Sequence, residues 1–276
     1  MSTVDALSPP APGPAHPDAP HRGHFAAVTK ALAQRGVLGV SRVPATVVPT
    51  IIMPIVFTLA FSGAFSALVD LPGFPTDNIL NWMAPFAVMQ GASFAGLGAS
   101  FAVGRDLENG FYDRLLLAPA PRRSLVAGPL AYSALRALIP LCTVVPIALL
   151  GGARMVGGVA GYVTLFVAAE GIAVVAGLWG LGVTYRLRTQ RAGSLVQVGI
   201  FVTMFLSIGQ VPLEAMSGWL HWVAERNPFT YVLKMARQGF LGPVTWSTTW
   251  PGLVALVVAG LLLGWYAWRG FRRLDR

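Results

Sequence analysis

The segment R-D-L-E-N-G-F-Y-D-R-L-L-L-A-P-A-P-R-R, residues 105–123, is a charged run between two long apolar stretches. The whole chain has only 20 Lys and Arg and 11 Asp and Glu residues, and seven of these charged residues fall in this segment. So dense a polar run in a chain that is 55% hydrophobic predicts a surface element placed to contact another protein. We call residues 105–123 the charged segment; its charged residues are Arg105, Asp106, Glu108, Asp113, Arg114, Arg122 and Arg123.

The composition on both sides of the charged segment predicts an all-α membrane protein. Mean hydropathy is +0.63. Charged residues make up 11% of the chain, less than half of the share of about 25% that is usual in soluble proteins. Runs without charge recur, and about 20 apolar residues suffice for a helix to cross the hydrocarbon core. The composition therefore predicts a multi-span membrane protein rather than a soluble globular domain.

Six membrane spans are predicted. The third is only 17 residues long, and it extends backward through residues 124–135 if Arg136 is tolerated near the membrane surface. Five spans, or a re-entrant third segment, therefore stay open. Glu170 interrupts the fourth span, and the best part of the sixth is residues 246–268. The six runs are residues 43–69, 78–104, 137–153, 155–185, 192–213 and 238–268.

Arginine and lysine set the predicted orientation. They gather in the N-terminal segment, in the charged segment, in residues 186–191 and in the C-terminal tail, whereas residues 70–77 have none. The positive-inside rule then places both termini and the charged segment in the cytoplasm. The fifth loop is basic too, but long loops translocate with little regard to charge. Arginines beside the spans meet anionic lipid headgroups, so the net charge of +9 predicts contact with membrane lipids and no nucleic-acid partner.

The residues before the first span divide into two parts. Residues 1–23 predict a disordered cytoplasmic tail, because they are rich in Pro and Ala and lack an apolar signal sequence. Residues 24–42 are mildly apolar with spaced basic residues, which predicts a helix lying in the membrane interface. The membrane domain then covers residues 43–276.

No constellation for catalysis or metal binding is present in the sequence. Three of the four histidines lie before the first span, no span contains two carboxylates, and there is no H-E-x-x-H motif. A Walker-type lysine is also absent, because the only lysines, Lys30 and Lys234, do not follow a glycine. We therefore predict no catalytic residue, no metal site and no cofactor in this chain. If ATP drives it, another subunit binds the nucleotide.

Two stretches resemble the ABC-2 type transporter permeases. One is E-N-G-x-x-x-R-L-L-L-A-P-x-x-R, residues 108–122. The other is G-Q-V-P-L-E-A-M-S-G-W-L-H-W-V-A-E-R-N-P-F-T-Y-V-L-K-M-A-R, residues 209–237. The resemblance covers about residues 24–276, and within the family the chain looks most like the daunorubicin-resistance type of drug and lipid exporter permease.

The resemblance implies a fold, a location and partners. The fold is that of a type V exporter permease, with six helices and both termini in the cytoplasm, in the cell (inner) membrane of a bacterium. The partners are an ABC ATPase subunit, which would hold ATP and Mg, and a second permease copy or a homologous permease. The chain would then be a transport subunit and not an enzyme by itself.

The resemblance also gives the charged segment a role. Residues from about 105 to 120 would form the coupling helix, which docks into a groove on the ATPase. Leucines and Phe111 recur at helical spacing, acidic and basic residues can face polar partners, and Pro119 ends the helix. The alternative is a solvated loop whose arginines only set topology. The predicted coupling residues are Arg105, Asp106, Glu108, Gly110, Phe111, Asp113, Arg114 and Leu115.

Three further features within the predicted membrane domain are candidates for function. Glu170, near the middle of the fourth span, is either a structural group or a polar point on the substrate path. Arg136 is predicted to lie within two turns of the cytoplasmic surface and to extend its side chain toward it. Residues 214–237 predict an extracellular element with aromatic anchors. A stripe of small residues in the second span allows close approach of a helix of this chain or of another subunit; it consists of Ala92, Gly96, Ser100 and Gly104.

The sequence therefore predicts the permease subunit of an ATP-driven ABC exporter for an amphipathic drug-like compound or lipid. Export of a polysaccharide or other polymer is the close alternative, because the same motifs would serve it. A stand-alone secondary transporter would be expected to show inverted repeats, and a membrane scaffold would leave the charged segment unexplained.

Overall fold

The computed structural model describes residues 21–42 and 48–274, and these residues are helical with turns and no strands. The predicted disordered tail, residues 1–23, lies outside the described residues except for its last three. Those three residues begin α1 (His21–Arg42), which also covers the segment predicted to lie in the membrane interface.

Ten α-helices follow one another along the described residues. Besides α1 they are α2 (Val48–Ala64), α3 (Ile79–Glu108), α4 (Phe111–Leu117), α5 (Ser124–Leu150), α6 (Gly158–Leu187), α7 (Arg191–Phe205), α8 (Gly218–Arg226), α9 (Pro228–Leu241) and α10 (Trp246–Phe271).

Four of the described helices are long and apolar enough to cross a membrane: α3, α5, α6 and α10. Four of the six predicted spans therefore correspond to helices that are long enough to cross a membrane. The third predicted span, whose start was open, is part of the 27-residue helix α5, which begins at Ser124. The other two, α2 and α7, have 17 and 15 residues, about 25 Å and 22 Å of helix at 1.5 Å per residue.

The helix in the fifth apolar run ends early because a side chain from elsewhere in the chain donates hydrogen bonds to its carbonyl groups. The run was predicted to continue to residue 213, but α7 ends at Phe205. The Asn227 amide donates to the carbonyls of Thr203 and Leu206, at 2.6 and 2.9 Å. Side-chain donors thus replace helical N–H groups beyond the last turn, and the chain continues as turns.

The centre of the molecule is α3, whose most apolar stretch is 83% buried. Small residues allow its neighbours to approach closely. A Cβ at Gly96 would meet the backbone of Ala173 and Gly177 in α6, and a Cβ at Gly91 would meet Pro140 in α5. The core therefore forms where α5 and α6 pack against α3.

The apolar side chains of α10 mostly face outward. This helix packs on α6 and α9 along one side, while the other side exposes a band of large apolar residues. Such a band in a chain with several membrane-length helices suits contact with lipid tails, because it would be costly to hydrate. The band consists of Val254, Val257, Val258, Leu261, Leu262 and Trp265.

The ends of the helices form two different surfaces. The charged end contains α1, α4, the C-terminal ends of α3, α6 and α10, and the N-terminal ends of α5 and α7. The opposite end contains α8, α9 and the connections before α3, after α5 and after α7.

Candidate functional site at the charged end

The charged segment is not one helix. The helix α3 continues to Glu108, and the chain then reverses at Gly110, whose φ of +66° is in the left-handed region that favours glycine. A separate seven-residue helix, α4, follows from Phe111 to Leu117. Of the predicted coupling residues, Arg105, Asp106 and Glu108 therefore belong to the last turn of α3.

Asp106 holds α1 against the end of α3. Both of its carboxylate oxygens accept from the Arg35 guanidinium, each at 2.6 Å. The same guanidinium lies 4.0 Å from the centre of the Phe111 ring, so it also contacts α4. Its hydrogen bond with Asp106 raises the pKa of Arg35 above its ordinary value. Sequence reasoning did not identify Arg35, which is separated from Asp106 by 71 positions.

Glu108 binds the connection between α6 and α7. Its Oε1 atom accepts from the Thr189 hydroxyl at 2.6 Å and from the Gln190 backbone N–H at 2.9 Å. The side chain is still exposed at the surface. Glu108, proposed from the sequence to face an ATPase, thus also connects the end of α3 to the beginning of α7.

Tyr112 fastens α4 to the bundle. Its side chain is buried, and its hydroxyl lies 3.1 Å from the hydroxyl of Tyr185 in α6 and 3.5 Å from the carbonyl of Leu125 in α5. The Tyr185 ring in turn makes an edge-on contact with Phe271 of α10. An aromatic residue inside a polar segment was the available signal for this anchor, and sequence reasoning missed it.

Opposite this anchor, α4 presents an exposed face. Asp113 and Arg114 project outward, and the Leu117 side chain is 88% exposed. We call Asn109, Asp113, Arg114 and Leu117 the α4 surface. Phe111 and Leu115 are half-buried behind it, and Arg105 is exposed beside it. An apolar side chain between ionic groups on a fixed short helix is suited to dock into a groove of a partner protein.

A cavity of about 1000 Å³ lies behind α4, whose Tyr112 and Leu115 line it. It lies between α1, α3, α5 and α7, with Met53 of α2 at its wall. We call it the charged-end cavity. Its apolar wall includes Phe94 and Phe201, whose rings meet edge-on at 5.3 Å between centres. Its charged lining residues are Arg35, Arg105, Asp106 and Arg136.

Arg136 lines this cavity from α5. Because α5 begins at Ser124, Arg136 lies 12 residues into the helix, about 18 Å along its axis. Its guanidinium lies beside Gly98 of α3, where Nη1 is 2.5 Å from the position that a Cβ would take. The absence of a side chain at Gly98 makes room for this cation.

Glu170 lies apart from the other candidate residues. It is half-buried near the middle of α6, and its Oε1 atom is buried without a hydrogen-bond partner among the described residues. It lines neither of the two cavities described for this chain.

The stripe of small residues is used within the chain. Gly96 packs against α6, and the Ser100 hydroxyl lies 2.7 Å from the Thr184 hydroxyl of the same helix. Gly104 lies against the backbone of Thr189 and Gln190, and Ala92 is fully buried. The stripe therefore makes α3 fit against α6 and its following connection.

At the opposite end, a fully buried arginine binds three backbone carbonyls. Arg237, on α9 and 1% exposed, donates from Nε to Trp82, from Nη1 to Ile208 and from Nη2 to Gly209, at 2.8 to 3.0 Å. Its guanidinium also stacks on the Trp82 ring at 3.6 Å. The segment predicted as an extracellular element, residues 214–237, is thus α8 and most of α9, joined to α3 by this residue.

Comparison with known proteins is consistent with a membrane transport subunit. The chain is 26% identical to the daunorubicin resistance ABC transporter permease protein DrrB1 of Streptomyces coeruleorubidus over 232 residues, which is 83% of this chain and 79% of that protein. Two ycf38 proteins, named as transport permeases, are also similar. That of Pyropia yezoensis is 27% identical over 80% of this chain and 76% of its own length, and that of Porphyra purpurea 28% over 75% and 72%.

The family of the ABC-2 type transporter matches residues 27–241. This range extends from α1 to the end of α9, so it includes the charged segment, the walls of the charged-end cavity and the arginine at the opposite end. The chain belongs to the ABC-2 type transporter family, as a multi-pass membrane permease subunit.

Proposed function

We propose that this chain is the permease subunit of an ATP-driven exporter in a bacterial cell membrane, which moves an amphipathic drug-like compound or lipid out of the cytoplasm or the inner leaflet. The observation that carries the proposal is the α4 surface, an exposed ionic and apolar face at the charged end of an ABC-2 family chain. A separate ABC ATPase subunit holds ATP and Mg. A second copy, or a homologous permease, completes the transporter.

The contacts of α4 support a mechanical role. Tyr112 joins it to α5 and α6, and the Arg35 guanidinium joins it to α1 and α3. A displacement of α4 by a moving ATPase is therefore passed to several helices at once, since packed helices move as rigid bodies rather than deform. Three of those helices, α1, α3 and α5, form walls of the charged-end cavity. ATP hydrolysis would in this way change the shape of the substrate site.

The charged-end cavity is the proposed entry site for the substrate. It combines aromatic walls with charged residues near its mouth, which is the chemistry that an amphipathic compound requires. In this orientation the charged end and both termini face the cytoplasm, and α8 and α9 lie on the extracellular side. The sequence of events is entry from the cytoplasm or inner leaflet, closure of the charged end and release at the opposite end.

The α4 surface is tested by reversing one of its charges. We expect Arg114→Glu to prevent recovery of a P-loop ATPase with the tagged chain from membranes, while the amount of inserted chain is unchanged. The matched control is Arg272→Glu, the same reversal at an exposed position of the same end but outside the α4 surface. Equal recovery of the ATPase with both variants would contradict docking at α4.

A second variant separates docking of the ATPase from transmission of its movement to the membrane helices. Glu108→Arg removes the acceptor of the Thr189 hydroxyl and the Gln190 N–H, so it loosens the connection between α3 and α7. We expect the ATPase to remain bound and export to fall. Normal export by this variant would show that the Glu108 contacts do not take part in coupling.

A further inference from the structure

We propose that the charged-end cavity selects an anionic amphiphile, whose acidic group lies between Arg105 and Arg136 and whose hydrocarbon lies against Phe94, Phe101 and Phe201. This inference rests on the proposed function for its biological use, because it names the class of substrate that the same site would take. Its physical basis is the distribution of charge in the cavity, which can be tested in this chain alone.

The charge of the lining residues favours an anion. Three arginines and one carboxylate are the residues with permanent charge among those described around the cavity. The carboxylate, Asp106, has both oxygens bound by Arg35 at 2.6 Å. No second carboxylate lines the described walls, and Glu170 lies elsewhere on α6. A cationic drug would therefore meet like charges without an available acidic partner, which is unfavourable where water is scarce.

The other two arginines of the lining, Arg105 and Arg136, lie at different depths. Arg105 is exposed at the mouth, whereas the Arg136 guanidinium lies beside Gly98, seven residues further along α3 and thus about 10 Å inward. A phosphate or carboxylate group between them could accept charge-assisted hydrogen bonds from one or both guanidinium groups.

The apolar part of the cavity fits a hydrocarbon chain. The lining on α3 runs from Phe94 to Asp106, about 18 Å along the helix axis. Phe94 and Phe201 close its inner part, and Met53 of α2 adds a flexible apolar side chain. The volume of about 1000 Å³ is at the upper end of the range of roughly 300–1,000 Å³ for small-molecule sites. A single-chain amphiphile therefore matches both the length and the polarity of the cavity.

Equilibrium binding of two amphiphiles with the same chain tests the proposal. Labelled dodecyl phosphate and dodecyltrimethylammonium are measured against the full chain in phosphatidylcholine nanodiscs, with empty nanodiscs as background. We expect saturable binding of dodecyl phosphate only. Arg136→Gln should weaken it by about tenfold or more, the effect of losing a hydrogen bond to a charged group, and Arg136→Lys should restore most of it.

The matched control is Arg154→Gln, which removes the same charge from an exposed position at the opposite end and should leave binding unchanged. Arg105→Gln provides a second variant at the exposed mouth, where a folding defect is not expected, and should also weaken binding. Equal binding of both amphiphiles, no saturable binding of either, or unchanged binding in both Arg136→Gln and Arg105→Gln would overturn the inference.

The same data distinguish this inference from the proposed function. If the chain binds the anion selectively but has no ATPase partner, the proposed exporter function is refuted and the anion site in the cavity is supported. If the chain exports a cationic compound with ATP and shows no preference for the anion in the binding assay, the anion site is refuted and the proposed exporter function is supported.

Discussion

At the scale of single residues, Arg237 is a buried cation that binds three backbone carbonyls. It is fully buried, and its three nitrogen atoms donate hydrogen bonds to carbonyls of α3 and of the turn after α7. The cation has no carboxylate among these partners, so its cost is offset by carbonyl dipoles and by the face of Trp82. The hydrogen bonds of Arg237 therefore connect α9 to α3 and to the turn after α7 at the opposite end.

We predict that Arg237→Leu lowers the stability of the protein by about 3 kcal/mol or more, because three carbonyls lose their donors and each unsatisfied group costs about 1–3 kcal/mol. The temperature of unfolding of the detergent-solubilised chain measures the effect. Arg226→Leu is the control, since the Arg226 guanidinium is exposed and contacts Glu225 and Trp222 on its own helix. Similar unfolding temperatures for the two variants would contradict the structural role of Arg237.

For Glu170 we predict that Glu170→Gln keeps export within about twofold and leaves insertion intact or improved. The residue lines neither cavity, and neutralising it removes an intramembrane charge whose insertion costs about 2.5–3.5 kcal/mol. Export is measured in cells with the variant at matched membrane levels. A strong loss of export would instead support the hypothesis that Glu170 lies on the substrate path.

At the scale of helices, the contact between α3 and α6 depends on the absence of side chains. We predict that Gly96→Ala destabilises the protein by about 1–3 kcal/mol, the usual cost of overpacking, because the new methyl would press on the backbone of Ala173 and Gly177. Gly260→Ala in α10 is the matched control. Among the described residues, no atom lies within 4 Å of its Cβ position, so the substitution should be neutral or should stabilise the helix by about 0.5–1 kcal/mol. Unfolding temperatures in one detergent compare the two, and a stable Gly96→Ala would contradict tight packing.

Helix lengths show what local sequence could and could not predict. Apolar length predicted α3, α6 and α10 well, because burial in lipid or protein acts on every residue of the run, but it left the start of α5 open. It did not predict the end of α7 at Phe205, because Asn227 and Arg237 take the carbonyls there from more than 20 positions away. The break at Gly110 had a local signal, Asn-Gly after a helix, which the helical spacing of the leucines concealed.

The candidate site divides in the same way. The charged segment was predicted as a docking element from its composition, and the exposed face of α4 is what that hypothesis now rests on. The pairing of Asp106 with Arg35, the anchoring of Tyr112 on Tyr185 and the approach of Arg136 to Gly98 could not be predicted. Each of these contacts depends on how helices pack against one another, and the spacing of residues within one helix does not predict that packing.

At the scale of the whole molecule, the two ends differ in chemistry and should lie on opposite sides of the membrane. Arginines gather at the ends of α3, α6 and α10. The opposite end has fewer basic residues, which are Arg154, Arg226, Lys234 and the buried arginine, and it has exposed tryptophans, Trp219 and Trp222, on α8. The positive-inside rule then predicts that the charged end is cytoplasmic. Because each end contains exposed positions, this orientation can be tested with single cysteines.

We predict that a membrane-impermeant maleimide labels Ser217→Cys in intact cells, but labels Ala118→Cys only after the membrane is permeabilised. Both positions are exposed, one before α8 and one after α4. Cys142 is exposed too, so it is first replaced by Ser to give a cysteine-free background. Labelling of both cysteines after permeabilisation controls for reactivity. The reverse pattern would invert the molecule and place the α4 surface away from ATP, which would also remove the basis for docking an ATPase there.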